Sequence, residues 1–502
     1  MNLILLLGSV FLLPWLLIRL YAHRLRAADH LRRSITLSAL GISNTEHKRL
    51  VGFFHPYCNA GGGGERVLWT AIAALQRNER DIVSIVYTGD VDTSKQAIID
   101  RIKSRFDIVL DPSTLHFVFL KSRSMIEDSA WPRFTLLGQS LGSMYLAWEA
   151  VSLLMPDLYI DTMGYAFTFH VVSTLCQVPI GAYIHYPTIS VNMIARVRTR
   201  KRGHTNTDAI STSAMLTWGK LLYYRIFMYY YAISVRSASF IMVNSSWTKN
   251  HIDAILQHSD PILDAIHFLP PFSLIHLFKN TQGLTTARTV YPPCDTREMA
   301  KFPLEDRDLV ILSVAQFRPE KDHAAQLMAF YRLLSAYPQH REQNVKLVLL
   351  GGSRNAHDAA RVEGLRQLAK DLDIERQVEF VVNASYSDML GRLSKAAIGL
   401  STMIDEHFGI NVVEFMAAGA IPVTHASGGP LEDIVVPSNG EPTGYHADDP
   451  DSFADALHTV LTLPAEEQLA MRRRARAWAV QRFSEEEFER SWNASGWHTW
   501  LS

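Results

Sequence analysis

The sequence predicts an α/β protein made of two consecutive Rossmann-like domains, each a doubly wound sheet of parallel strands. Three observations carry this. Short apolar runs bounded by turn residues recur along the chain, as buried parallel strands do. Stretches of helical character separate several of them. The series halts at Tyr291-Pro292-Pro293-Cys294-Asp295 and starts afresh at Leu309, so the architecture repeats without a repeated sequence. A chain of 502 residues has room for two or three domains with sizeable cores.

Composition narrows the function. The formal net charge is -1, so no global field attracts nucleic acid. Cys58, Cys176 and Cys294 lie far apart in sequence. They form neither a disulfide framework nor a zinc pattern, and they suit a reducing compartment. No cluster of His, Asp and Glu suggests a metal site.

Residues 3–18 are almost wholly apolar, broken only by Gly8, Ser9 and Pro14. Extended to Ala22, the run approaches the ~20 residues that cross a bilayer. Arg19, Arg24, Arg26, Arg32 and Arg33 follow it. A secretory signal carries its charge before the apolar run, so an uncleaved transmembrane anchor over residues 1–22 is expected, with the remainder cytosolic. The sequons at Asn244, Asn383 and Asn493 should then carry no glycan.

The first domain is expected over residues 23–295. Its first strand, residues 50–56, stops at Pro56 and leads into Tyr57-Cys58-Asn59-Ala60-Gly61-Gly62-Gly63-Gly64-Glu65-Arg66-Val67-Leu68-Trp69. Four glycines ahead of a helix let the backbone approach a ligand closely, and the helix end attracts anions. The pattern fits neither the dinucleotide fingerprint nor the P-loop, which argues against hydride transfer and ATP hydrolysis. Further strands are expected at residues 82–87, 115–120, 158–162, 180–186 and 240–244. Asp161 and His185 stand at the carboxyl ends of two of them, where open α/β sheets bind ligands. Residues 134–155 and 221–233 are apolar and aromatic, and Arg196, Arg198, Arg200, Lys201 and Arg202 precede the latter. They suit a membrane interface or a lipid diphosphate, or else a buried helix with a solvated basic loop.

The second domain is expected over residues 296–480. Strands are expected at residues 309–315, 345–350, 378–382 and 398–401, with another beginning at Val423. Arg318 and Lys321 follow the first of these. Arg offers a planar fork and Lys a compact charge for diphosphate oxygens, or the two simply pair with Glu320 and Asp322. Glu406-His407-Phe408-Gly409-Ile410-Asn411-Val412-Val413-Glu414 places Glu406 in a loop and Glu414 early in a short helix that Gly419 closes. Each carboxylate can accept hydrogen bonds from neighbouring sugar hydroxyls. Read otherwise, Glu414 favours the helix N-terminus and Glu406 is solvated. Ser427-Gly428-Gly429-Pro430 repeats the strand, glycine turn and helix. The tail, residues 481–502, is expected to be helical and to return to the first domain.

The Glu406 to Glu414 segment resembles the E-x7-E signature of retaining glycosyltransferases of the GT-B fold, in which two Rossmann-like domains face a central cleft. With Phe53-Phe54-His55-Pro56 and the glycine loop, Ile184-His185-Tyr186-Pro187, Val290-Tyr291-Pro292-Pro293-Cys294-Asp295 and Gln316-Phe317-Arg318-Pro319-Glu320-Lys321, the chain resembles the GDP-mannose:dolichol-linked oligosaccharide α-1,2-mannosyltransferases of the endoplasmic reticulum. The resemblance implies transfer of two α-1,2-mannoses onto a lipid-linked trimannosyl-chitobiose on the cytosolic face, with retention, no metal or other cofactor, and association with earlier-acting mannosyltransferases. It implies catalytic roles for Glu406, Lys321, Arg318 and His185. It implies donor contacts from Arg318, Lys321, Glu406, Phe408, Gly409, Ile410, Glu414, Gly63 and Gly64, and acceptor contacts from Gly61, Gly62, His55, Asp161 and Tyr186. A UDP-sugar transferase and a non-catalytic nucleotide-sugar-binding scaffold are the alternatives. Loss of Glu406, Arg318 or Lys321 would favour the scaffold, and all three are present.

Overall fold

A computed structural model describes residues 2–42, 48–189, 214–267 and 286–501. The basic cluster at 196–202 lies outside them. The chain divides into two compact units. Met1–Asn244, Thr248–Val290 and Glu489–Ser502 form the first, Ser245–Trp247 and Tyr291–Phe488 the second.

The first unit is organised on seven parallel strands: β1 (Arg49–Phe54), β2 (Ile82–Thr88), β3 (Leu115–Phe119), β4 (Leu158–Asp161), β5 (Ile180–Ile184), β6 (Phe240–Val243) and β7 (Arg288–Thr289). Their order is β3-β2-β1-β4-β5-β6-β7. The second unit has six: β8 (Asp308–Val314), β9 (Lys346–Gly351), β10 (Val378–Val382), β11 (Ala396–Ser401), β12 (Ile421–His425) and β13 (Tyr445–Ala447), ordered β10-β9-β8-β11-β12-β13. Strand order reverses between β1 and β4, and again between β8 and β11. At such switch points the loops leaving the carboxyl ends diverge and open a crevice.

The strands read as continuous apolar runs because both faces are covered. All seven residues of β2 and all six of β11 are buried. Some glycines are fixed by packing: a Cβ on Gly399 of β11 would fall 2.1 Å from the Phe415 ring, and one on Gly351 of β9 would fall 1.9 Å from the Ala315 carbonyl. β7 and β13, of two and three residues, extend the sheets beyond the strands expected from sequence.

The N-terminal segment departs from expectation. Asn2–Ala39 is one helix that runs unbroken past Ala22. Its second half belongs to the first unit: Ala22, Leu25 and Leu37 enter the core, Arg26 donates to the Leu175 carbonyl at 2.9 Å, and Arg33 pairs with Asp157 at 2.6 Å. Among the described residues no helix is long and apolar enough to cross a membrane. The transmembrane span expected over residues 1–22 thus finds no support here; Asn2 to Ala22 form the first part of a longer helix whose second half packs on the domain. Ala, Leu and Arg all favour helix, so nothing ends it where the arginines begin.

The C-terminal stretch forms helices Ala465–Phe483 and Glu485–Ala494. Within the first unit Trp492 stacks near Tyr183 at 6.3 Å, and Arg288 donates to the Ala494 carbonyl at 2.9 Å.

Candidate active site

In the second unit the loops after β8 and β11 meet. Arg318 caps a short turn, Pro319–Lys321, whose last residue reaches across to β11's loop. Lys321 Nζ donates to Glu406 Oε2, with side chains only 22% and 12% exposed. Thr402 fastens the loops together, donating from its hydroxyl to the carbonyls of Lys321 and Asp322 at 3.2 and 3.1 Å. Arg318 lies 3.7 Å from Glu320, a loose and exposed contact, and its Nε is buried without a partner. The two cations and Glu406 are thus gathered at the β8/β11 switch point.

The Glu406 loop is held by the glycine turn after β12. Gly429 N donates to the Glu406 carbonyl at 2.7 Å, and Asp405 N donates to Ser427 Oγ at 2.7 Å. Gly428 sits at φ +65°, where a Cβ would meet that carbonyl at 2.2 Å. Gly409, at φ +110°, turns the chain into helix Ile410–Ala418. Glu414 is half-buried just beyond its first turn. Phe408 is 3% exposed and packs against Tyr291 and Phe483, so it lies beneath the site rather than lining it.

In the first unit the glycine loop follows β1 at the other switch point. Gly61 has φ +80°, and Gly62 caps helix Gly63–Asn78. Gly62 N donates to Glu65 Oε2, and Glu65 Oε1 lies 3.3 Å from His55 Nε2. His55 Nδ1 lies 2.8 Å from Thr162 Oγ1. Burial opposes charge on Glu65, but His55 and the Gly62 N–H outweigh it and hold the carboxyl below its usual range. His55 is fully buried, so it supports the loop through Glu65 rather than lining its surface. Asp161 is also fully buried. Its Oδ1 accepts from Met163 N at 3.0 Å, its Oδ2 has no partner, and burial pushes its pKa up to about 7. His185 Nε2–H donates to the Thr162 carbonyl at 3.1 Å and borders Gly64, whose Cβ position lies 3.5 Å away. Gly62 and Gly63 are exposed, and Tyr186 is half-buried. Gly61 to Gly64, His185 and Tyr186 therefore border an accessible surface, while His55 and Asp161 lie beneath it. The sequence reading missed the roles of Glu65, Thr162 and Thr402. A carboxylate three residues after Gly62 is a capping-box signal that marks Glu65. The two threonines carry no such signal.

The first unit also bears an exposed apolar face. Trp148 Nε1 donates to Tyr21 Oη at 2.9 Å, joining helix Thr135–Leu153 to the N-terminal helix. Leu137 N donates to Tyr223 Oη at 3.0 Å, joining it to helix Ala214–Val235. Around these links Leu17, Leu141, Trp148 and Leu222 are 56%, 53%, 37% and 52% exposed. The aromatic run around Arg225 is split: Tyr224, Phe227 and Tyr231 enter the core, while Leu222 and Ile226 face out.

Comparison with known proteins places the chain. A structure titled OtsA apo structure superposes with a TM-score of 0.60 at 13% identity, covering 89% of this chain and 98% of that one. Anabaena Alr3699/HepE in complex with UDP and glucose gives 0.55 at 14% identity, with the same coverage. These establish the GT-B fold. The family "Glycosyl transferases group 1" matches residues 295–478. Residues 48–256 match "ALG11 mannosyltransferase N-terminus". The Mus musculus and Homo sapiens proteins named GDP-Man:Man(3)GlcNAc(2)-PP-Dol alpha-1,2-mannosyltransferase are each 44% identical over 89% of this chain and 86% of their own. The Kluyveromyces lactis protein of that name is 35% identical over 95% of this chain and 82% of its own. The chain belongs to this mannosyltransferase family.

Proposed function

We propose that the protein transfers mannose from GDP-mannose to a trimannosyl-chitobiose oligosaccharide on dolichyl diphosphate. It forms α-1,2 linkages, twice in succession, with retention. The observation that carries the reading is the pairing of Lys321 with Glu406 beside Arg318 at a switch point, in a chain of this family. Breaking the mannose C1–O bond sends its electron pair to the β-phosphate. Arg318 and Lys321 are fixed cations placed where that charge develops, and the start of helix Ile410–Ala418 adds its N–H groups. Glu406 accepts from mannose hydroxyls and Glu414 from the ribose. The acceptor hydroxyl attacks on the face the phosphate leaves, and its proton passes to the departing oxygen. Trapping a covalent mannosyl-enzyme would overturn that route.

The glycine loop, His185 and Tyr186 are assigned to substrate contact, with His55 and Asp161 as positioning residues below. Side-chain cations, not a metal, neutralise the diphosphate in this reading. Turnover should survive EDTA, and a loss restored by Mg²⁺ or Mn²⁺ would refute it. A lipid-linked acceptor also demands a membrane surface. The apolar face of the first unit is assigned to the cytosolic leaflet of the endoplasmic reticulum, near the enzymes that build the acceptor.

The test is to incubate purified protein with GDP-mannose and a synthetic trimannosyl-chitobiose lipid and to weigh the product. Two added hexoses removable by α-1,2-mannosidase are expected. No product, or product only with a UDP-sugar, would overturn the proposal.

A further inference from the structure

The second unit bears a half-open cavity of about 460 Å³ far from the Lys321 and Glu406 pair. Leu309 and Ala397, near the amino ends of β8 and β11, line it together with the end of helix Pro450–Thr462 and the first turns of helix Ala465–Phe483. The catalytic loops leave the opposite ends of those strands, about 20 Å away at ~3.3 Å per residue. The volume lies within the usual range for small-ligand pockets.

Two guanidiniums line this cavity. Arg472 is 5% exposed; it donates from Nη2 to Gln468 Oε1 at 2.9 Å, and its Nε is buried without a partner. Arg307 donates to the carbonyls of Leu393, Ala396, Pro303 and Ala418, and its Nε is likewise buried and unpartnered. Among the described residues neither arginine pairs with a carboxylate within 4.0 Å; the ion-paired cations of this unit, such as Arg354 and Arg473, are 51% and 65% exposed. Burial, with Arg472 and Arg476 close by, pushes Arg307 down to about 10. Crowded, desolvated cations without a counter-charge are costly, and an anion among them removes that cost.

The remaining walls set the class of anion. Leu309, Val460, Leu461 and Leu469 present an apolar surface. Glu305, Asp306 and Glu466 are exposed and also belong to the lining, and three carboxylates disfavour polyanions such as nucleotides more than a singly charged head. We propose that this cavity binds a small amphiphilic anion, a carboxylate or phosphate monoester head on an apolar chain, with the head on Arg472 and Arg307 and the chain along the leucines.

The test is calorimetric titration of the full-length protein with octyl phosphate, sodium octanoate, inorganic phosphate and the uncharged octyl glucoside. At least one octyl anion should bind saturably, at least tenfold more tightly than inorganic phosphate, and with unchanged affinity in saturating GDP. Octyl phosphate and octanoate distinguish the two head groups. Arg472→Gln should weaken binding tenfold or more. Gln468→Glu, which places a carboxylate against Arg472, should abolish binding while raising Tm, so a folding defect cannot imitate the result. Absence of saturable binding, competition by GDP, equal binding of octyl glucoside, or affinity unchanged in both variants would overturn the proposal.

Discussion

At the scale of single residues, the pairing of Lys321 and Glu406 sets the most direct test. The side chains are 22% and 12% exposed, so the pair lies between an open surface bridge, worth about 0–1 kcal/mol, and a buried one, whose breaking costs about 3–5 kcal/mol. Lys321→Ala should lower Tm by a few degrees and kcat about 100-fold or more, the scale of losing a fixed charge at the leaving group. A variant that keeps a tenth of wild-type turnover would remove Lys321 from the leaving group. Asp161 gives a pH signature. Its carboxyl is raised from 3.8 to about 7 by burial, so the folded state holds the proton the more tightly. Its contribution is full below about 4, declines as pH rises, and is lost above about 7. Asp161→Asn keeps an oxygen for Met163 N and carries no charge. The Tm of the variant minus that of the wild type should climb between pH 4 and 7, then level off. A difference constant with pH would place the titration elsewhere. His55, Asp161 and Phe408 also mark a limit of the sequence. His55 and Asp161 stand at strand ends and Phe408 in the loop before a helix, as read, but which of two successive side chains turns into the core depends on packing that no local pattern records.

At the scale of elements, the Glu406 loop depends on a turn from another strand. Gly428 combines φ +65° with a Cβ position 2.2 Å from the Glu406 carbonyl, and Gly429 donates to the same oxygen. Gly428→Ala would strain the turn by about 1–2 kcal/mol through φ alone and would also push Glu406 away from Lys321. Turnover should fall at least tenfold, with kcat affected more than GDP affinity. Wild-type kcat with a lowered Tm would show that the turn serves only stability. The long strands were legible because parallel strands covered on both faces are written as apolar runs. β7 and β13 are too short to leave such a pattern. The N-terminal helix runs on past the apolar stretch because hydropathy changes at Arg19 while helix propensity does not. Leu37, Arg33 and Arg26 then bind its second half into the fold.

At the scale of the whole molecule, the proposed membrane attachment can be tested on the exposed apolar face of the first unit. The aromatic segments stood out in sequence, but their division between core and exterior did not, because both sides of helix Ala214–Val235 are apolar. The structure assigns Tyr224, Phe227 and Tyr231 to the core and leaves Leu222 facing out with Leu141 and Trp148. Full burial of a large apolar side chain is worth about 1.5–3 kcal/mol, and these three are already partly covered, so each should contribute roughly 1 kcal/mol on entering lipid. Together that is about 3 kcal/mol, or roughly a hundredfold in partitioning. The triple variant Leu141→Glu, Trp148→Glu, Leu222→Glu should therefore lose flotation with phosphatidylcholine/phosphatidylserine vesicles, while its Tm stays within a few degrees of wild type. With the lipid-linked acceptor in vesicles its turnover should fall in proportion to bound protein; with a short-chain, water-soluble acceptor it should match wild type. Undiminished flotation would transfer the attachment to another surface, such as the first turns of the N-terminal helix. Lost activity on the soluble acceptor would mean that these residues touch the substrate itself.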